Sequence, residues 1–510
     1  MKRQNILLIV LAVLFALLLV SYILIIRPIE KENNKEEETP APETESGEAL
    51  GISDRYFLFT SLEKSDIESI EVSNQFGGFT FVSDKDGNFS IKGYETLNVD
   101  SQKLASLVSV STYTLAKTKV GSSLSDEKLE EYGLLSPQAW WIVTDRDGNR
   151  FRVFVGDRLL TGGGYYCMFD GRRSVYVLGN EVADTILVPT EKYVTPVICA
   201  GISQDDYFTV DNFTVFKDGE PLTRIRLVDK EDQINPDALA ECIMDYPAAY
   251  YPNTSLYYEI LYKFMSFTAD ECVKIGAEDE DFEKYGLADP AHVIIFDYKS
   301  YNYRIYFSEL TDGKYYVFSN LYPDVIGYVD ADEYAYLEYD LIKWIDPYVF
   351  QQYINDIDEI TVSSGDVNAT FRITHIPVEG SEDRKNEKIS VNANGKQLSE
   401  SASENFRQYY KNLLAISIRD YCTADEYCTL SKEELDALCA DTDGAYLTFT
   451  YKKLSGDTQT LRFYRYSTRH SLVTVDGAGE FYVLTDLVDK IRNDTVRILS
   501  GEEVVAYSKS

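Results

Sequence analysis

Residues 125–157 read SDEKLEEYGLLSPQAWWIVTDRDGNRFRVFVGD. Ser125 ahead of acidic residues marks a helix start, and Tyr132-Gly133-Leu134 marks its stop: glycine fits the left-handed position that closes a helix, and Pro137 prevents continuation. Trp141-Ile142-Val143-Thr144 and Phe151-Arg152-Val153-Phe154-Val155 then alternate about an Asp145-Arg146-Asp147-Gly148 turn, the pattern of a β-hairpin with one buried and one exposed face. A short helix feeding antiparallel strands makes the fold class α+β.

Working outward, the pattern recurs. Tyr285-Gly286-Leu287 with Pro290 precedes Val293-Ile294-Ile295-Phe296 and Tyr303-Arg304-Ile305-Tyr306-Phe307. A third copy has Tyr446-Leu447-Thr448-Phe449 and Leu461-Arg462-Phe463-Tyr464. Its helix carries a capping box, Ser431 with Glu434, stapled by Leu430 and Leu435. Where the other copies have Y-G-L it has Leu438-Cys439-Ala440, so its helix must end differently.

Upstream, each copy opens with a strand pair: Ile70-Glu71-Val72 and Phe79 to Val82, Phe213-Thr214-Val215 and Ile225 to Val228, Ile360-Thr361-Val362 and Phe371 to Ile373. Val72, Val215 and Val362 are 143 and 147 residues apart, a domain-sized period. A helix with an apolar face follows, bearing Leu104, Leu107 and Val108, then Ile260, Leu261 and Phe264, then Tyr409, Tyr410, Leu413 and Leu414. It runs into a strand at Thr112 to Leu115, Ser266 to Thr268 and Ala415 to Ile418. Each copy closes on a last strand, Val175-Tyr176-Val177, Gly327-Tyr328-Val329 and Phe481-Tyr482-Val483.

This order, Y-G-L-x-x-P, a D-x-D-G hairpin, V-G-D, a Gly-rich turn, a Y-Y pair and V-Y-V, resembles the bacterial family catalogued as domain of unknown function 4340. Residues 125–185 carry the likeness best, 277–345 less, and 430–490 least. The resemblance implies a membrane-anchored protein facing away from the cytoplasm, often encoded beside ABC-type permease subunits and a gliding-type auxiliary transport protein. It carries over no catalytic residue.

The chain of 510 residues holds 49 Lys and Arg against 84 Asp and Glu, a net charge of −35. Such a surface repels phosphate backbones, so nucleic acid is excluded as a partner. With 45% hydrophobic residues, whole-chain disorder is excluded too. Lys2 and Arg3 precede 21 uncharged residues, Ile6 to Ile26, enough to span a bilayer as a helix. The run exceeds a signal peptide's apolar region and no small-x-small site follows, so an uncleaved anchor is expected. Basic residues balance on its two flanks and leave orientation undecided. Residues 29–50, with eight Glu and almost no bulky apolar side chain, read as a charged tether. The expected divisions are an anchor at 1–28, an acidic tether at 29–55, and three tandem units of antiparallel hairpins with short helices at 56–198, 199–347 and 348–510.

Seven cysteines leave at least one unpaired. Only Cys422 and Cys428 are close in sequence, so free buried thiols are expected, with a Cys422–Cys428 disulfide as the alternative in an oxidising compartment. Zinc would want paired Cys spacings and more than the scattered His292, His375 and His470. Thr161-Gly162-Gly163-Gly164 precedes a strand instead of a helix, and reads as a hairpin turn, not a phosphate loop. The D-x-D-G turns at Asp84 and Asp86, and at Asp145 and Asp147, lack the bidentate Glu of a calcium loop. Tyrosine, 40 residues, recurs in pairs such as Tyr165-Tyr166, Tyr250-Tyr251, Tyr257-Tyr258, Tyr315-Tyr316 and Tyr409-Tyr410; in a strand one of each pair packs and the other faces out. No catalytic, cofactor-binding or metal-ligating residue is assigned, and no cofactor is expected. The expected function is a non-enzymatic extracytoplasmic component of an ABC transport or cell-envelope complex, held in the cell membrane by Ile6 to Ile26, with an ABC permease or envelope protein as partner. The alternatives are a surface polysaccharide-binding module and a hydrolase using paired carboxylates. The turns at 162–164, 311–313 and 467–470 diverge between copies and are expected to be replaceable at little cost in stability.

Overall fold

The computed structural model describes residues 49–50, 55–59, 61–203, 205–206, 209–228, 242–379 and 387–507. The anchor run Ile6 to Ile26 lies outside them, and among the described residues no helix is long and apolar enough to cross a membrane. At the far end of the acidic stretch Ala49–Leu50 pairs antiparallel with Tyr56–Phe57.

The fold is α+β and its three large sheets are antiparallel. The first comprises β1 (Ile67–Asn74), β2 (Gly77–Ser83), β3 (Phe89–Ile91), β4 (Thr118–Gly121), β5 (Ala139–Asp145), β6 (Arg150–Arg158), β7 (Tyr165–Phe169) and β8 (Val175–Leu178), ordered β3-β2-β1-β5-β6-β7-β8-β4. The second comprises β9 (Asp211–Lys217), β10 (Glu220–Leu227), β11 (Cys242–Tyr246), β12 (Glu271–Ile275), β13 (His292–Tyr298), β14 (Tyr301–Phe307), β15 (Lys314–Ser319) and β16 (Tyr322–Asp330), in the same order, β11-β10-β9-β13-β14-β15-β16-β12. The third comprises β17 (Ile357–Ser364), β18 (Val367–Ile376), β19 (Lys388–Ala393), β20 (Lys396–Gln397), β21 (Ile418–Tyr421), β22 (Leu447–Lys453), β23 (Thr458–Arg465), β24 (His470–Val475) and β25 (Ala478–Leu484). It repeats the order with one added edge strand, β20-β19-β18-β17-β22-β23-β24-β25-β21.

Apolar alternation sets the register. Ile70 faces Phe81 on one side and Val143 on the other, and Ile360 faces Phe371 and Tyr451; all six are buried. A one-residue slip would turn each set to solvent. Helices α1 (Ser101–Thr112), α4 (Thr254–Phe264) and α7 (Glu400–Leu414) occupy the same place in each copy, and bury Leu107 and Val108, Ile260 and Leu261, and Phe406 and Tyr409. The strand expected at Thr112 to Leu115 begins only at Leu115, because the helix runs through Thr112. The chain then forms Leu115–Ala116 and β4.

Each copy is entered in the same way. Tyr56–Phe57 pairs with Leu115–Ala116, Val197–Cys199 pairs with Phe267–Thr268, and Tyr348 bridges Ser417. The residue 198/199 division thus falls within a strand that belongs to the second copy.

The described residues up to Lys92 with Gln102–Val188 form one compact unit, and Gly93–Ser101 with Pro189 onward form another. In the second, the second and third sheets share a single apolar core that runs from Ile198 to Val504. Tyr250 packs on Phe481 at 5.5 Å, and Tyr421 accepts a hydrogen bond from the Ile342 amide at 3.2 Å.

Candidate functional site

A second short helix recurs between the strand that follows the main helix and the next: α2 (Asp126–Glu131), α5 (Asp279–Lys284) and α8 (Lys432–Ala440). Gly133 at φ +69° and Gly286 at φ +68° close the first two, with Leu134 and Leu287 amides donating back to the Leu129 and Phe282 carbonyls. The third starts on the Ser431–Glu434 capping box and ends without glycine on extended Asp441, as its sequence requires.

These helices lie over the outer side of the sheets, and what lies beneath them differs. Under α2, Leu129, Leu134 and Val175 are buried with Leu124, Phe154, Tyr166 and Met168 packed around them. Under α8, Cys422, Leu435, Tyr464 and Leu472 close the space, with Cys428, Cys439 and Tyr466 alongside. Under α5 Leu287 is buried like Leu134, and beside it lies an open cleft of about 490 Å³ lined by Asp279, Phe282, Glu283, Leu287, Ala288 and Phe318. Its floor is aromatic: Phe318 lies 4.7 Å from Phe282 and 4.6 Å from Tyr306, nearly parallel to the latter.

The rim is acidic. Asp281 is tied to the Glu278 amide at 3.1 Å and to Lys274 at 3.0 Å, and these bonds hold its carboxyl below the usual range. Asp279 and Glu283 are exposed and have no side-chain hydrogen bond or ion pair among the described residues. The lining offers no nucleophile or imidazole; it can hold an apolar group with a cation beside it.

The third copy carries a polar knot at the margin of its filled space. Asp425 Oδ2 receives Tyr466 OH at 2.5 Å and lies 2.7 Å from His470 Nδ1, while Oδ1 accepts the Tyr427 amide at 3.1 Å. Burial pushes the Asp425 carboxyl up, but these three hydrogen bonds outweigh it and leave it below the usual range. His470 stacks on Tyr482 at 4.4 Å. Sequence reading singled out His470 as part of a divergent turn and Cys422 with Cys428 as a close pair. The structure gathers all three in this region and leaves both thiols free, with burial raising that of Cys422. Asp425 and Tyr466, which organise the knot, carried no sequence signal.

The other histidines sit apart from it. His292 Nε2 is 3.2 Å from Glu338, and His375 is 3.7 Å from Glu387. The D-x-D-G carboxylates are engaged by their own turns: Asp84 and Asp145 each accept two backbone amides and an asparagine side chain. Gly162 and Gly164 make the hairpin turn joining β6 to β7. The tyrosine pairs follow the one-in, one-out rule only in part. Tyr315 is buried and Tyr316 half-buried in β15, but Tyr409 and Tyr410 are both buried, since they lie on a helix, where neighbours share a broad apolar face.

A family model described as Domain of unknown function (DUF4340) matches residues 90–274 and again 259–437. The first match starts eleven residues ahead of α1 and ends beyond α4; the second starts within α4 and ends within α8. No curated protein and no solved structure matches the chain.

Proposed function

The chain belongs to the DUF4340 family, and from that premise we propose that it is a non-enzymatic, extracytoplasmic binding component of an ABC transport or cell-envelope complex, anchored in the cell membrane by Ile6 to Ile26. The observation that carries the reading is the open cleft beside α5, about 490 Å³ over an aromatic floor. Its aromatic floor suits association without chemistry, since a contact surface needs desolvated anchors and no proton donor. The anchor and acidic tether support placement beside membrane partners.

A photo-crosslinker at Ala288 in the full-length chain, activated in intact cells, tests this. A transporter permease subunit is the expected adduct; adducts confined to soluble cytoplasmic proteins would overturn it. Protease added to protoplasts should remove the folded portion, and full protection would refute the outward orientation.

A further inference from the structure

Building on that binding role, we infer that the α5 cleft takes an apolar segment of a protein partner that carries a lysine or arginine side chain. Two independent differences between the first and second copies lead there. The first is volume. Aligned on Y-G-L, half-exposed Leu135 of the first copy is replaced by Ala288, which borders an open cleft of about 490 Å³ with Phe282 and Phe318.

The second difference is charge. In the first copy Arg173 pairs with Asp126, the position aligned with Asp279, and Lys128 pairs with Glu131. In the second, Asp279 and Glu283 stand on one face of α5, four residues apart, with no cation against either. Two unpaired carboxylates beside an aromatic floor exclude an anionic ligand and complement a cationic head on an apolar stem, the shape of a snorkelling lysine or arginine.

The test uses the full-length chain in phosphatidylcholine nanodiscs and a fluorescein-labelled hexapeptide of alternating leucine and arginine, read by anisotropy. Saturable binding is expected, weakened about tenfold by Asp279→Asn with Glu283→Gln, in line with two partly screened ion pairs. Ala288→Trp, at an exposed position that should leave folding intact, is expected to abolish binding. Glu130→Gln with Glu131→Gln makes the same charge change in the first copy and is expected to do nothing. Equal weakening by both double variants would show diffuse attraction to the net charge of −35 and overturn the inference, as would unaltered binding to Ala288→Trp, the absence of saturable binding, or displacement by a neutral oligosaccharide. A permease adduct without peptide binding would sink this inference alone. Peptide binding without any membrane-protein adduct would sink the transport reading and leave the cleft's preference standing.

Discussion

In the first copy the Y-G-L turn comes down onto the sheet: the Asp157 amide donates to the Tyr132 carbonyl at 2.9 Å, and Gly156 is needed because a Cβ there would overlap that oxygen. In the second copy Ser308 takes the place of Gly156, and its hydroxyl accepts from the Tyr316 amide at 3.0 Å. The helix end of the first copy is thus tied to its strand by a backbone hydrogen bond, while the helix of the second has an open cleft beside it. Because the inner faces of both sheets are equally buried, the difference teaches that the outer layer is not what holds the sheet together, and it is free to be filled or left open.

The sharpest way to break this contrast is truncation. Leu129 is 2% exposed, and Leu129→Ala should cost about 2–4 kcal/mol through lost burial plus a cavity. Phe282→Ala at the aligned position should cost about 1 kcal/mol, since its ring already borders open space. Denaturant unfolding with hydrogen exchange on β6 and β14 measures both, and equal costs would mean the cleft is ordinary core.

A smaller effect is expected at the turn. Grafting the second copy's Thr311-Asp312-Gly313-Lys314 onto 161–164 puts a side chain at Gly164, whose φ is +159° and whose Cβ would overlap the Leu178 carbonyl. The expectation that this turn is freely replaceable therefore fails at one residue. Gly164→Lys should cost about 2 kcal/mol and Gly163→Ala less than about 0.5 kcal/mol, as thermal unfolding can show.

The smallest difference is in pH response. Burial lowers the pKa of His292 in β13, despite Glu338 beside it; Lys217 acts in the same direction, and Asp218 in the opposite one. The unfolded chain then binds this proton first, so its contribution to stability is complete at neutral pH and is lost as pH falls through about 6.5 toward the folded value. The first copy contains no histidine. Hydrogen exchange corrected for intrinsic rates should show β13 losing protection between pH 7 and 5.5 while β5 does not, and His292→Gln should flatten the β13 response. A parallel loss in β5 would place the effect elsewhere.

The strand pairs, both kinds of helix and the Ser431 cap were legible in the sequence because each is encoded within a few residues: alternation, a glycine after an apolar run, a serine three before a glutamate. The order of the strands was not. β4 pairs with β8, not with its sequence neighbours, and such a partnership depends on surfaces that form only once the hairpins exist. The cleft was illegible for a related reason. Ala288 is unremarkable by itself, and its small volume matters only where Phe318 arrives from a distant strand. The Asp425 knot joins residues more than forty positions apart.

The entry strands set the size of what can be inherited. Each copy is stitched, before its first sheet strand, to the residues that follow its main helix: the Leu58 amide donates to Thr114, and Ile418 donates to Pro347. A duplication that began at the sheet itself would have left those backbone groups without partners and exposed a bare edge to other chains. The piece that was copied must therefore begin upstream of the sheet, inside what looks like a linker, and anyone excising a copy for study inherits the same starting point.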